Sequence, residues 1–326
     1  MKRVGIIGYG AIGPIHARAI NKAPDAVLYA VCDIDKKMLQ KCRECYDVKT
    51  FENYEAMLED KSIDSVHICT PHYLHFEMIK KSLEAGKTVV AEKPVTMKSE
   101  EYKKLLSMNQ SSNVCLVLQN RYNPCVKKMK EMIDGGVYGK ITAVKAVLTW
   151  HRTPEYYKGA TWRGKWATEG GGVLINQAVH TLDLMSYLGG EISSVSANMF
   201  NYSLRGSIEV EDTFTGYMKY KDGHRGIFFA TNAYSQNSNP ELEIVFEHGT
   251  LKYEYGKLYD GNKFICEDAD PAYGKSYWGA GHENLISDFY SKNKYISLSD
   301  ARNTMECLFA MYESARSEGM EIKIDG

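Results

Sequence analysis

The chain has 326 residues, 44% of them hydrophobic and 25% charged, with a formal net charge of −1. That length supports a sizeable core and two domains. The balanced charge offers no basic face to nucleic acid or an acidic membrane, and no apolar stretch nears the ~18 residues of a membrane span.

Met1-Lys2-Arg3-Val4 enters an apolar run at once and leaves no room for a signal peptide, so a cytoplasmic protein is expected. Eight cysteines fit that compartment. Cys32, Cys69 and Cys115 lie in apolar runs and read as small reduced core residues. Cys42-Arg43-Glu44-Cys45 has redox or zinc-like spacing but stands alone in a helical stretch, so helix packing is the expected role. No His/Cys/Asp/Glu set has metal spacing along the sequence, and a metal-free site is expected.

The first third alternates in type. Strands are predicted at 4–8, 27–33, 65–70, 88–92 and 114–119, as continuous apolar runs suited to burial on both faces. Helices are predicted between them at 11–22, 36–46, 54–60, 74–85 and 99–109. This alternation implies a doubly wound parallel sheet with right-handed crossovers. The pattern changes near Arg121. Asn123-Pro124 opens a helix that Gly135-Gly136 closes. Strands then follow one another at 141–150, 195–202, 213–220, 225–231, 242–246 and 250–255, with turns at 221–223 and 247–249. Two late helices are expected, at 283–290 and 300–317. The expected division is a dinucleotide-binding domain over 1–121 and an α+β domain over 122–326, built on a large, mostly antiparallel open sheet.

The first chemical motif is Gly8-Tyr9-Gly10-Ala11-Ile12-Gly13, between a strand and a helix. Gly8 permits the tight turn, Gly10 lets backbone amides approach a pyrophosphate, and Gly13 lets the helix pack closely. The helix start favours phosphate charge. Asp33 closes the second strand, where a carboxylate accepts both ribose hydroxyls and repels a 2′-phosphate, so NAD is favoured over NADP. Lys36 and Lys37 soften that preference. His16, in the first helix, reads as structural. Thr70-Pro71-His72 ends the third strand at the same edge and His75 follows. Loop positioning and cofactor contact are both open for these two histidines.

The second motif is Glu92-Lys93-Pro94, after the run 88–91. Together with the glycine motif, Cys69-Thr70-Pro71 and the run from Gly170-Gly171-Gly172 through Asn176 and His180 to Asp183, it makes the chain resemble the Gfo/Idh/MocA oxidoreductases, the family of glucose–fructose oxidoreductase and inositol dehydrogenase. The resemblance covers nearly the whole length. It implies a Rossmann domain holding a nicotinamide cofactor, a second domain whose open sheet binds a sugar or cyclitol, and homodimers or homotetramers formed through the outer sheet faces. It implies that Lys93 hydrogen-bonds the reacting oxygen and stabilises alkoxide character as hydride leaves, with His180 as the acid/base. A cis Glu-Pro type of bond is also implied near Pro94.

Asn176 and His180 are four apart and share a face if the stretch is helical. Many relatives carry aspartate where this chain has Asn176. Asparagine still binds a sugar hydroxyl, and Asp183 either orients the His180 ring or packs the helix. Asn120 and Arg121 end the fifth strand and are expected near the nicotinamide. On the substrate side, Trp162 and Arg163 are expected to bind substrate. Trp150, Arg152, Tyr156 and Lys165 supply stacking surfaces and charge for hydroxyls, a carboxylate or a phosphate, or else an aromatic oligomer interface. Tyr234, Tyr277 and His282 are weaker candidates.

The expected activity is NAD(P)-dependent hydride transfer to or from a secondary hydroxyl or keto group of a sugar, cyclitol or sugar derivative. The alternatives are a non-catalytic NAD- and sugar-binding regulator of the same fold, and an imine or enone reductase of the dihydrodiol or biliverdin type.

Overall fold

The structure is a computed structural model and describes residues 1–238, 240–254, 256–269 and 279–324. These residues form two compact units. The first gathers 1–119 with 280–301, and the second holds the described residues of 120–279 with 302–324. The linear division at 121 is therefore corrected twice. Asn120 and Arg121 belong to the second unit, and the late helix at 281–292 returns to the first.

The first unit carries strands β1 (Lys2–Ile7), β2 (Ala26–Cys32), β3 (Lys49–Phe51), β4 (Ser65–Ile68), β5 (Thr88–Ala91) and β6 (Val114–Leu116). They form one sheet in the order β3-β2-β1-β4-β5-β6, with every pairing parallel. That is the doubly wound dinucleotide-binding order. Strands β4, β5 and β6 are buried along their whole length apart from Thr88, which explains their unbroken apolar character. The edge strand β3 was not foreseen, because Lys-Thr-Phe is short and only half-buried. Helices α1 (Gly13–Lys22), α2 (Lys36–Cys45), α3 (Tyr54–Glu59), α4 (His72–Glu84) and α5 (Ser99–Ser107) connect the strands. Asp35 and Asn53 cap α2 and α3 by accepting backbone N–H bonds.

In the second unit, α6 (Pro124–Asp134) leads to β7 (Ile141–Thr149), the short α7 (Pro154–Lys158) and α8 (Val179–Gly189). Strands β8 (Ile192–Phe200), β9 (Thr213–Tyr220), β10 (Arg225–Thr231), β11 (Glu241–Phe246), β12 (Gly249–Glu254), β13 (Lys257–Asp260) and β14 (Lys263–Glu267) follow. The chain then passes α9 (Gly281–Lys292) of the first unit and ends in α10 (Arg302–Arg316) and β15 (Ile322–Lys323). The nine strands run β14-β13-β12-β11-β7-β10-β9-β8-β15, antiparallel except where β10 pairs with β7. Helices α8 and α10 cover one face. Buried Val144, Ala146 and Leu148 of β7 alternate with half-buried residues, the period-2 signature of a sheet with one dry face. On the other face Tyr217, Ile227 and Phe229 are exposed.

One buried bond ties the returning segment to the first unit. Tyr102 of α5, 1% exposed, donates its hydroxyl to the Leu298 carbonyl at 2.5 Å. Tyr102→Phe should lower unfolding stability by about 1–3 kcal/mol, because the carbonyl loses its donor in a dry site. Denaturant unfolding checks this, and an unchanged midpoint would count against the packing of 280–301 on the first unit.

Candidate active site

The glycine loop leaves β1 with Gly8 at φ +90°, a conformation L side chains avoid, and a Cβ there would meet the Cys69 carbonyl at 2.8 Å. A Cβ on Gly13 would meet the Gly8 carbonyl at 2.7 Å, so α1 approaches the loop as closely as backbone permits. Gly10 is exposed, with no atom within 4 Å of the position its Cβ would take. Ala11 is exposed and Ile12 half-buried, and Ile12 caps α1 without a side-chain bond. The loop is thus rigid at both ends and open at its tip.

Asp33 lies half-buried just past β2. Its Oδ2 accepts the Tyr9 N–H at 2.6 Å and its Oδ1 the Asp35 N–H at 2.8 Å. A carboxylate has about four lone-pair sites, so acceptor capacity for ribose hydroxyls remains. Asp33 therefore also braces the glycine loop, a role the sequence does not reveal. Tyr9 is used structurally: its ring is buried and its amide is given to Asp33. The open tip, the tight glycines and the residual capacity of Asp33 fit a dinucleotide, and Gly8 to Gly13 with Asp33 would hold it.

Two further segments end at the same edge of the sheet, after β4 and β5. His75, fully buried in α4, faces the Pro94 carbonyl through Nδ1 and the Thr70 carbonyl through Nε2, each at 2.7 Å. It clamps Thr70-Pro71 to the Lys93-Pro94 turn, whose peptide bond is cis. The cis bond is thus at Lys-Pro, not at a Glu-Pro step. Burial lowers the His75 pKa, while the two carbonyls raise it. His72 is buried beside it, with ring centroids 6.0 Å apart. Lys93 is half-buried.

Glu92 is 8% exposed and turned toward α1 and α9. Its Oε1 lies 3.0 Å from His16 Nε2 and 3.6 Å from His282 Nε2. Burial raises the Glu92 pKa, but bonding and charge from the two histidines outweigh it and hold the carboxyl well below its usual range. These three residues, far apart in sequence, are a convergent group of potential metal ligands with ligand atoms within 4.8 Å. Sequence spacing could not reveal it. The 3.0 Å contact is a hydrogen bond, and His16 uses its other nitrogen on His67 at 2.7 Å.

In the second unit, a π-helical turn at Leu174–Ala178 precedes α8. Asn176 sits in it and His180 just after it, so the even four-residue face expected of an α-helix is distorted. Asn176 Nδ2 donates to Glu169 Oε1 at 2.5 Å, and Gly164 N–H donates to Glu169 Oε2 at 2.5 Å. Glu169 is fully buried. Sequence reasoning missed it, although it stands directly before the triple glycine. A second buried carboxylate, Glu211, accepts Gly172 N–H at 2.9 Å, Leu174 N–H at 3.1 Å and the Tyr312 hydroxyl at 2.8 Å. A Cβ on Gly172 would lie 1.8 Å from the Glu211 carbonyl, which accounts for that glycine.

Asp183 does not orient His180. It receives a two-pronged bond from Arg121, at 2.9 and 2.6 Å, and a third from Thr304 at 2.8 Å. The expectation of Asn120 and Arg121 at a strand end is corrected too, since β6 stops at Leu116 and both lie in a 3₁₀ turn. Arg121 is buried and stacked on Tyr187. Its fork satisfies a buried carboxylate, which is its visible role.

Arg163 stacks on Tyr156 at 4.6 Å and on Trp162 at 5.2 Å, and Arg152 on Trp150 at 4.7 Å and Tyr156 at 5.2 Å. The Nε atoms of Arg152 and Arg163 are buried without a hydrogen-bond partner among the described residues. Trp150 is buried and bonded to the Ser238 carbonyl, which removes it from an interface role. Tyr234 is exposed, and Tyr277 lies outside the described residues.

Burial pushes Glu211 up to about 7 against its three donors. Its folded pKa therefore exceeds its unfolded value near 4.5, and the folded chain holds the extra proton between the two. Stability from this group is complete below about 4.5 and falls as pH rises to about 7. Glu211→Gln should flatten that fall by about 3 kcal/mol relative to the parent chain. Denaturant unfolding across this range checks it, and parallel curves for the two proteins would refute the assignment.

A family model described as "Oxidoreductase family, NAD-binding Rossmann fold" matches residues 2–120, and the Gfo/Idh/MocA C-terminal domain matches 126–252. The scyllo-inositol 2-dehydrogenase (NAD(+)) of Bacillus subtilis is 29% identical, over 99% of this chain and 96% of that protein. The levoglucosan dehydrogenase of Pseudarthrobacter phenanthrenivorans is 25% identical, over 77% of this chain and 73% of that protein. The solved structure of the WlbA dehydrogenase from Bordetella pertussis, in complex with NADH and UDP-GlcNAcA, superposes with a TM-score of 0.88 at 28% identity, covering 100% of this chain and 98% of that one. With both its domains matched and the glycine loop built for a dinucleotide, the chain belongs to the Gfo/Idh/MocA family of NAD-binding oxidoreductases.

Proposed function

We propose that the protein is an NAD-dependent dehydrogenase acting on a secondary hydroxyl of a sugar, cyclitol or sugar derivative. The observation that carries this reading is the glycine cradle braced by Asp33 within a parallel sheet of dinucleotide-binding order. The bound nicotinamide supplies the hydride acceptor or donor. The chain's own residues do the rest. Gly8 to Gly13 and Asp33 bind the cofactor, and His75 fixes the two turns at the sheet edge. Lys93 hydrogen-bonds the reacting oxygen and stabilises the negative charge that develops there. His180 accepts or returns the hydroxyl proton. Asn176, held by Glu169, binds a neighbouring hydroxyl as donor or acceptor.

Two features favour a sugar over a flat apolar substrate. Arg152 and Arg163 hold unsatisfied Nε donors around the Tyr156 ring, suited to hydroxyls, a carboxylate or a phosphate. The curated relatives named above are dehydrogenases of a cyclitol and an anhydrosugar. The retention of both Lys93 and His180 favours an enzyme over a sugar-binding regulator.

NADH formation on a panel of inositols, hexoses, sugar phosphates and nucleotide sugars tests this reading. Turnover on a panel member, lost at least a hundredfold in Lys93→Ala while NAD still binds, is the expected result. NAD binding without turnover in either direction would favour the regulator.

We also assign the open face of the second sheet to self-association. Tyr217, Ile227 and Phe229 are 43, 53 and 36% exposed there, an aromatic and aliphatic surface that water does not favour. Ile227→Arg should reduce the molar mass seen by light scattering to that of one chain, and an unchanged mass would remove this face from the interface.

A further inference from the structure

The stretch from Trp150 to Gln177 carries more positive charge than its own acids neutralise. It holds Arg152, Lys158, Arg163 and Lys165 against Glu155 and Glu169. Glu155 lies 4.0 Å from Lys158. Glu169 is fully buried, with one oxygen accepting the Gly164 N–H and the other Asn176 Nδ2. Arg152 and Arg163 are half-buried, and among the described residues neither pairs with a carboxylate. Arginine keeps its charge at every physiological pH, so neither side chain can answer partial burial by losing a proton.

Both guanidinium groups lie over one ring. The Tyr156 centroid is 5.2 Å from Arg152 Cζ and 4.6 Å from Arg163 Cζ. A ring face attracts the charge but offers no lone pair to the N–H donors. Those donors are largely uncommitted. Arg152 spends Nη1 on the His151 carbonyl and on Asn237 Oδ1, each at 2.7 Å, and its Nη2 has no protein acceptor among the described residues. Arg163 makes no side-chain hydrogen bond to any described residue. Both Nε atoms are covered, so the terminal amino groups are what a ligand meets.

Tyr156 is itself held in place. It packs on the buried cluster of Tyr157, Leu204, Ile208 and Val210, and its hydroxyl accepts from Gln177 Nε2 at 3.4 Å. Gln177 is buried and accepts from Asn232 Nδ2 at 3.1 Å. It follows Asn176 in the π turn, so one side chain ties the ring between the arginines to the turn that carries Asn176.

We propose that Arg152 and Arg163 form an anion subsite, and that the substrate is a sugar or cyclitol bearing a carboxylate or phosphate group. This subsite rests on the function proposed above and fixes its substrate class. A neutral hydroxyl would satisfy an N–H donor and leave both charges in place. An oxyanion meets the donors and the charge together, and the guanidinium fork matches two oxygens of either group. An acidic group held there leaves the sugar hydroxyls for Asn176.

The test is calorimetric binding of matched sugars to the full chain, with and without NADH. The pairs are D-glucuronate with D-glucuronamide, D-glucose 6-phosphate with D-glucose, and UDP-glucuronate with UDP-glucose. In at least one comparison the more anionic sugar should bind about tenfold tighter or better. A preference for glucuronate, free or nucleotide-linked, assigns the subsite to a carboxylate, and one for glucose 6-phosphate to a phosphate monoester. UDP-glucose binding about tenfold tighter than glucose, with UDP-glucuronate no better, assigns it to a diphosphate. Arg163→Gln and Arg152→Gln should each cut the preference about fivefold. The absence of any such preference at millimolar concentrations overturns the proposal, and so does a preference unchanged in whichever of the two variants folds. NADH formation on the same sugars separates the two readings. A charge preference without turnover would keep the subsite and remove the dehydrogenase. Turnover on neutral sugars alone would keep the dehydrogenase and remove the subsite.

Discussion

A carboxylate removed from water must be met by donors, and this constraint organises the molecule. Glu92, Glu169, Glu211, Asp183 and Asp212 are each at most 8% exposed. Glu92, Glu211 and Asp183 gather groups from distant parts of their own units, and Glu169 and Asp212 gather theirs from neighbouring turns. Glu92 draws in His16 from α1 and His282 from α9. Glu211 draws in Tyr312 from α10 and two amides beside the triple glycine. Asp183 fixes Arg121 and Thr304, and Asp212 takes three consecutive amides at Tyr202, Ser203 and Leu204. The chain segments that carry Lys93, Asn176 and His180 are thereby positioned by acid residues that need play no part in the chemistry.

The parallel sheet was legible because its strands are dry on both faces, so periodicity and composition agree there. The glycine motif was legible because Gly8 and Gly13 each meet a separate steric demand, while Gly10 leaves the tip of the loop open. β3, β13 and β14 were not legible, since short, partly exposed strands carry little apolar signal. The return of 280–301 to the first unit was hidden for another reason. Helix α9 looks like any amphipathic helix, and only partners such as Glu92 and Lys22 reveal which sheet it covers.

The site shows the same division. Motif context nominated Asp33, and the family resemblance nominated Lys93 and His180. Neither was enough to assign Arg121, Asp183 and His16, whose roles depend on which oppositely charged or hydrogen-bonding group lies beside them. Glu169 and Glu211 were passed over because an isolated acid in sequence has no period and no spacing. Their meaning comes from desolvation, which only the folded chain imposes.

That desolvation also separates rigidity from adaptability in the second unit. Glu169, directly before the triple glycine, grips Asn176 beyond it, and Glu211 grips Gly172 and Leu174. Between them the helix opens into a π turn at Leu174–Ala178, a geometry that persists only where its neighbours enforce it. An asparagine at 176 suits this frame. It donates to Glu169, whereas an ionised aspartate in its place would set two carboxylates against each other in a buried setting. Asn176 is therefore coupled to Glu169: the buried negative charge sits seven residues back along the chain, and the amide meets it as a donor.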